Sequence, residues 1–376
     1  MRWLAGLVVV LAAIAGALYG VGYFLLPNTL DVTHTVVVER PRATVFAQVN
    51  DLTAAQNWSP FYVRDPGADY SFSGAPGEGQ SMRWDGADPS MGDGELVVAR
   101  AAPPRGVRYL LRIADRAVFD VDVFLTAGMA QTRRVTNVEA RVIAECPATW
   151  MNIPCRYMNL IIRRQVEREL DVGLDRLKAM SEALPDVDFE GLAPEFVTLA
   201  PQPYLYIPVT VTRAQLGEFM PASQSPVTPA ASAAVQRIAQ EDADRATQRR
   251  VAAAMEQARA RAEAALQAND LVRAGPLVRV TTLSNEERFA FRVGYPYAGP
   301  APLSLTGEEV GETPSGRVMR IVHNGTRDNL AATYARAFAY LEAHHVERRG
   351  DGLPWEVVLS DSDPTAVRIE IYYPIQ

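Results

Sequence analysis

Residues 156–183 read RYMNLIIRRQVERELDVGLDRLKAMSEA. Met158, Ile162, Val166, Leu170, Leu174, Leu177 and Met180 recur at the spacing of one helical face, so a long amphipathic helix is expected here. Gly173 lies inside that stripe. Glycine there costs ~1 kcal/mol against alanine, and close approach of the helix to a sheet would account for it. Upstream, short alternating segments are expected as strands at Gln80–Trp84, Glu95–Arg100, Arg108–Ile113, Ala117–Leu125 and Gln131–Glu139, separated by turn residues. Before them, Thr33–Glu39 reads as a strand, and Pro41 opens a helix over Ala43–Val49. Strand, helix, antiparallel strands and a closing long helix is an α+β order.

Within residues 31–184 the motifs Trp58-Ser59-Pro60-Phe61, Asp65-Pro66, Gly77-Glu78-Gly79, Trp84-Asp85-Gly86 and Gly92-Asp93-Gly94-Glu95, with Val172-Gly173-Leu174-Asp175-Arg176-Leu177-Lys178 at the end, resemble the SRPBCC polyketide cyclase/dehydrase-like family. The resemblance implies a START-type helix-grip fold, an antiparallel sheet around a long C-terminal helix, with a cavity for an apolar small molecule or lipid. Trp58 and Trp84 are candidates to line it; packing in the core or loops is the competing expectation. His34 stands alone on its strand, and general acid–base work needs a positioned partner.

Ahead of this unit, Trp3–Leu26 carries no charge. As a helix it would span about 36 Å against ~30 Å of bilayer hydrocarbon. The run is too long for a signal-peptide core and ends in Tyr23-Phe24-Leu25-Leu26-Pro27, a poor cleavage site, so residues 1–30 are expected to be a retained anchor. Arg2 before the segment favours a cytoplasmic N-terminus, an inner-membrane location and exported domains; a cytosolic orientation is the alternative. Cys146 and Cys155 flank a short loop with two prolines. A disulfide there is geometrically allowed and would form in an oxidising compartment; two unrelated thiols are the alternative.

Residues 185–200 are proline-rich and acidic and are expected to be a linker. Residues 201–376 contain a repeat. A shift of 78 lays Pro276–Val280 on Pro354–Val358 and Phe289–Pro296 on Val367–Pro374. A helical stripe precedes each pair of strands (Val251, Met255, Ala258, Ala262, Leu266; then Leu330, Tyr334, Phe338, Leu341), and a strand precedes each helix (Tyr204–Val211; Arg317–His323). The unit reads as two copies of strand–helix–strand–strand, with an insertion at about 221–245 in the first.

The second copy carries His323-x-Gly325, Pro354-Trp355-Glu356, Asp363-Pro364 and Glu370-Ile371-Tyr372-Tyr373-Pro374-Ile375, and it resembles the GyrI-like effector-binding domain. That resemblance implies a cleft for lipophilic, often cationic molecules, with Glu356 as the charge partner. A carboxylate on an apolar strand is costly to bury without one. Exposure to solvent or pairing with a nearby arginine is the alternative for Glu356. Further ligand-binding candidates are Trp355, Tyr204, Tyr206, Tyr295 and Glu370; Glu370 and Arg292, at equivalent repeat positions, are also candidates to pair with each other. Some GyrI-like proteins resemble hydrolases that use glutamate with an aromatic hydroxyl. The usual tyrosine position is Val358 here, which weakens that reading, with Tyr204, Tyr206, Tyr295 or Tyr372 as substitutes.

Thirty-seven basic against 44 acidic residues give a net charge of −7, which disfavours a general nucleic-acid binder. Two cysteines and four histidines disfavour a metal site, and no cofactor motif is found. The expected partners are a hydrophobic or amphiphilic small molecule and, through the N-terminal helix, the lipid bilayer; a protein partner is left open. The expected role is membrane-tethered binding, sequestration or transfer. The alternatives are a hydrolase or cyclase with Glu356 as acid/base, and a module that regulates a partner protein.

Overall fold

The computed structural model describes residues 2–376 except 87–91, 114–116, 150, 215–228, 301, 303, 304, 306, 351 and 364. Two compact units are distinguished, residues 1–191 with 338–345 and residues 192–337 with 346–376; the helix that runs into 338–343 begins in the second unit and is taken with it. The first part of the expected insertion, up to residue 228, lies outside the described residues.

The first unit opens with helix α1 (Arg2–Phe24), which Pro27 helps to terminate. Strand β1 (Thr29–Val38) follows, then α2 (Arg42–Asn50) and two short helices, α3 (Leu52–Trp58) and α4 (Pro60–Arg64). These two helices were not among the expected elements, although their caps are legible in the sequence. Asp51 accepts from the Thr53 amide, Ser59 accepts from the Phe61 amide, and Pro60 occupies the first helical position. Strands β2 (Asp69–Ser73), β3 (Ser81–Asp85), β4 (Gly94–Ala102), β5 (Gly106–Ile113), β6 (Ala117–Ala130) and β7 (Arg133–Glu145) lead to the long helix α5 (Asn152–Ala183).

Among the described residues the sheet is antiparallel throughout, in the order β1-β7-β6-β5-β4-β3-β2. Alternation decides its faces. On β5, Val107, Tyr109 and Leu111 point to the core while Arg108 and Arg112 point out. Asp122 is buried on the outward face of β6, where Arg108 holds it through two nitrogens. Helix α5 begins earlier than Arg156 because Pro154, in its first turn, costs no intrahelical hydrogen bond.

The second unit has β8 (Glu195–Leu199), β9 (Pro203–Thr212), α6 (Pro229–Ala268), β10 (Val272–Arg273), β11 (Leu277–Ser284), β12 (Arg288–Ala298), β13 (Glu309–Glu312), β14 (Gly316–Gly325), α7 (Leu330–Ala343), β15 (Trp355–Ser360) and β16 (Val367–Pro374). The sheet runs β13-β9-β12-β11-β15-β16-β14-β8, with β10 on β12. The order is symmetric about the central β11–β15 pair. Residues 195–199, expected as linker, are instead the edge strand β8, registered on β14 by backbone pairing. The described end of the expected insertion, from Pro229, belongs to α6.

The structural register refines the repeat. Arg279 pairs with Val293 on the neighbouring strand, and Glu356 pairs with Ile371. Val293 and Ile371 are the residues that the 78-residue shift superposes. The structural counterpart of Glu356 is therefore Arg279, one residue on from the Val278 that the ungapped shift selects.

Candidate functional site

The first unit encloses a cavity of about 120 Å³ between α3, α4, α5 and the inward face of β4–β7. Leu111, Phe119, Val123, Ala140 and Val142 of the sheet face Leu170, Leu174 and Leu177 of α5 across it, and Trp58, Pro60 and Phe61 close one side. Trp58 lines this space and donates its indole N–H to the Gln48 carbonyl at 3.2 Å. Trp84 does not line it; this indole is buried behind Phe61, stacked with ring centroids 5.1 Å apart, and donates to the Gly92 carbonyl at 3.1 Å. Of the two tryptophan candidates, one reaches the cavity and the other packs.

The lining offers few polar groups, and each side chain among them is engaged. The Tyr109 hydroxyl donates to the Val49 carbonyl, and burial pushes its pKa far above the ordinary phenol value, so it remains a neutral donor. Glu169 at the rim accepts from Arg64 at 3.1 Å and from Gln165 at 2.9 Å. The Ser59 hydroxyl caps α4. Such a wall recognises shape and apolar surface rather than charge. An engineered apolar cavity of ~150 Å³ takes up benzene, so 120 Å³ admits a ring or a short alkyl segment.

Gly173 has a different neighbour from the one expected. A Cβ there would lie 3.3 Å from Cδ of Pro60 and 3.7 Å from the Trp58 carbonyl oxygen. The close approach is to the α3–α4 junction rather than to the sheet, and it lets α3 and α4 pack against α5. His34 is also not alone. Its Nδ1 lies 2.5 Å from Asp171 of α5, at an exposed site on the outside of the unit. Cys146 and Cys155 are bonded to each other, with Cα atoms 5.7 Å apart, tying the end of β7 to the first turn of α5.

The candidates of the second unit divide between two faces of its sheet. Trp355 and Glu356 are consecutive on β15 and so project in opposite directions. On one face Trp355 stacks on Tyr372 (5.4 Å between centroids) and Tyr204 stacks on Tyr206 (5.1 Å). These four rings form a buried cluster with Val278 and Val318. Tyr204 donates to the Val278 carbonyl at 2.9 Å and Tyr206 to Glu309 at 2.8 Å. Glu370 accepts from Tyr372 at 2.6 Å and from Arg320 at 3.3 Å. Arg292 does not pair with Glu370; its guanidinium sits 4.8 Å from the centroid of the Tyr206 ring.

The opposite face carries the helices. Tyr295 is there, donating to Glu263 of α6 at 2.6 Å, under the guanidinium of Arg273. Glu356 is there too, 1% exposed, and its Oε1 accepts from both Arg279 and the Tyr334 hydroxyl of α7. The carboxylate therefore has a guanidinium partner within the chain. Burial first, then the Glu356 charge, pushes the Tyr334 phenol well above its ordinary pKa, so it stays protonated and donates. Tyr334 was legible only as part of a helical stripe. Among the described residues no group of acidic, histidine and cysteine side chains is arranged to hold a metal ion.

No family model matches the chain, and no curated protein matches it. Solved structures do. An uncharacterised protein from Rhizobium leguminosarum aligns over 41% of this chain and 97% of its own (14% identity, TM-score 0.30). Truncated norcoclaurine synthase from Thalictrum flavum aligns over 40% of this chain and 92% of its own (10% identity, TM-score 0.31). Ara h 8.0201 aligns over 41% and 99% (10% identity, TM-score 0.30).

Proposed function

We propose that this chain is a membrane-tethered binding protein for lipophilic small molecules or lipids, with the cavity of the first unit as its guest site. The observation that carries the proposal is the cavity wall: alkyl and aromatic surface, with every polar side chain in it already bonded. Helix α1 supports the tether. Its segment Gly6–Phe24 is 19 residues of mean hydropathy 2.2 with 6% of that window buried, long and apolar enough to cross a membrane. The Cys146–Cys155 bond supports an inner-membrane protein with its soluble units in an oxidising periplasm. The second unit is read as a GyrI-like domain on its strand–helix–strand–strand halves.

Calorimetric titration with toluene tests the site. The wild-type protein should take it up saturably. Val121→Trp, which places an indole at the half-buried rim, should weaken binding at least tenfold. Equal binding by both proteins would remove the cavity from the proposal.

A hydrolase reading gains one observation, the Tyr334 hydroxyl on Glu356. The same oxygen is already held by Arg279, so the carboxylate is engaged within the chain rather than free to face a substrate. Binding is therefore preferred. Turnover of a lipophilic ester or strained-ring compound that Glu356→Gln abolishes would reverse this preference.

A further inference from the structure

Helix α5 extends beyond the cavity toward α1. Its first turns carry Met158, Leu160 and Ile161, which are 54%, 58% and 71% exposed. The same turns are fastened to α1. A Cβ on Gly22 would meet Ile153 and Tyr157, and Tyr157 donates to the Leu18 carbonyl at 2.8 Å. Arg156 closes the end of α1, donating one nitrogen to the carbonyls of Gly22, Tyr23 and Leu26 at 3.2, 2.9 and 3.0 Å. Ala15, Leu18, Tyr19, Ile153, Pro154 and Tyr157 line an open groove between the two helices.

These contacts fix a depth. Gly6–Phe24 is 19 residues, roughly 28 Å as a helix, which only just matches ~30 Å of hydrocarbon. Leu18 lies six residues inside Phe24, roughly 9 Å along the axis. A segment that bonds to Leu18 cannot stand clear of a bilayer spanned by α1. We infer that the first turns of α5 lie in the outer layer of the bilayer, seated by Met158, Leu160 and Ile161. Arg164 and Arg168, three and seven residues beyond Ile161, fall at the level of the lipid headgroups.

The seating sets the unit that holds the cavity against the membrane surface, so the guest class is a membrane-partitioned amphiphile whose ring or short alkyl end the cavity can hold. This rests on the membrane-tethered reading above.

Bimane labels test the depth, because both native cysteines are bonded and none is free. Full-length Ile161→Cys, Val10→Cys and Asp175→Cys are labelled and reconstituted in phosphatidylethanolamine/phosphatidylglycerol vesicles containing acyl-brominated lipid. Labels at 161 and 10 should be quenched at least twofold more than the label at 175. Quenching at 10 but not at 161 overturns the seating and leaves the span intact. Quenching at neither overturns both. For the route, Ile161→Asp should slow transfer of 4-butylphenol from vesicles at least tenfold while leaving its equilibrium binding from dilute solution unchanged. Equal transfer rates would overturn the entry path.

Discussion

Arg279 and Glu356 hold equivalent places in the two halves of the second sheet, and they are bonded to each other. They stand directly opposite on β11 and β15, at the centre about which the strand order is symmetric. A two-fold arrangement with identical residues at this point would bring two like charges together. Opposite charges turn the centre into an ion pair, which Tyr334 completes from α7. The flanking positions differ in the same manner. Arg292 lies over Tyr206 in one half, while its counterpart Glu370 binds Arg320, which stands where the other half has Tyr206.

The buried pair makes single and double substitutions diverge. Glu356→Gln or Arg279→Met alone should destabilise the second unit by about 3–5 kcal/mol, because each leaves its partner without charge compensation. The double variant Arg279→Met/Glu356→Leu should recover most of that loss. Urea denaturation of the full-length protein in detergent reads both. A single variant of unchanged midpoint would show that the pair is not buried in solution.

The disulfide closes a short loop, with nine residues of separation between its ends. A cross-link of that size is worth about 2–3 kcal/mol in the chain-entropy picture. Cys155→Ser should lower the denaturation midpoint of the first unit accordingly, and reductant should lower the wild type to the same value. A wild type indifferent to reductant would indicate that the thiols are not joined.

Acid should loosen the outward face of the first sheet. The Arg83 hydrogen bond, helped by Arg112, holds the Glu95 carboxyl below its ordinary pKa despite some desolvation. A depressed folded-state value means the stabilisation is complete above the unfolded carboxyl value of about 4.3 and is lost as pH falls through the folded one. Glu95→Gln should flatten that part of the stability profile below pH ~4.5. An unchanged slope would remove Glu95 as a contributor.

Much of this fold was legible because it follows period and punctuation. The α5 stripe and the alternating strands from β3 to β7 are direct readings of which face is buried. Single-sequence alternation says where side chains alternate but not which strands pair. The one-residue slip between Val278 and Arg279 is of that kind: it became visible only through the partners Val293 and Ile371. The site was harder to read because Trp355 and Glu356, adjacent in sequence, serve opposite faces. Tyr334 reaches Glu356 from a helix across 22 residues of sequence, which strand patterns do not encode. The role of Gly173 likewise depended on two short helices marked only by their caps.

The decisive measurement is native mass spectrometry of the full-length protein released from membranes in mild detergent, run beside Val121→Trp. The wild type should carry a non-covalent apolar adduct that the variant lacks. A bare wild type that also fails to take up added 4-butylphenol would mean that the first unit is not a container for lipophilic guests.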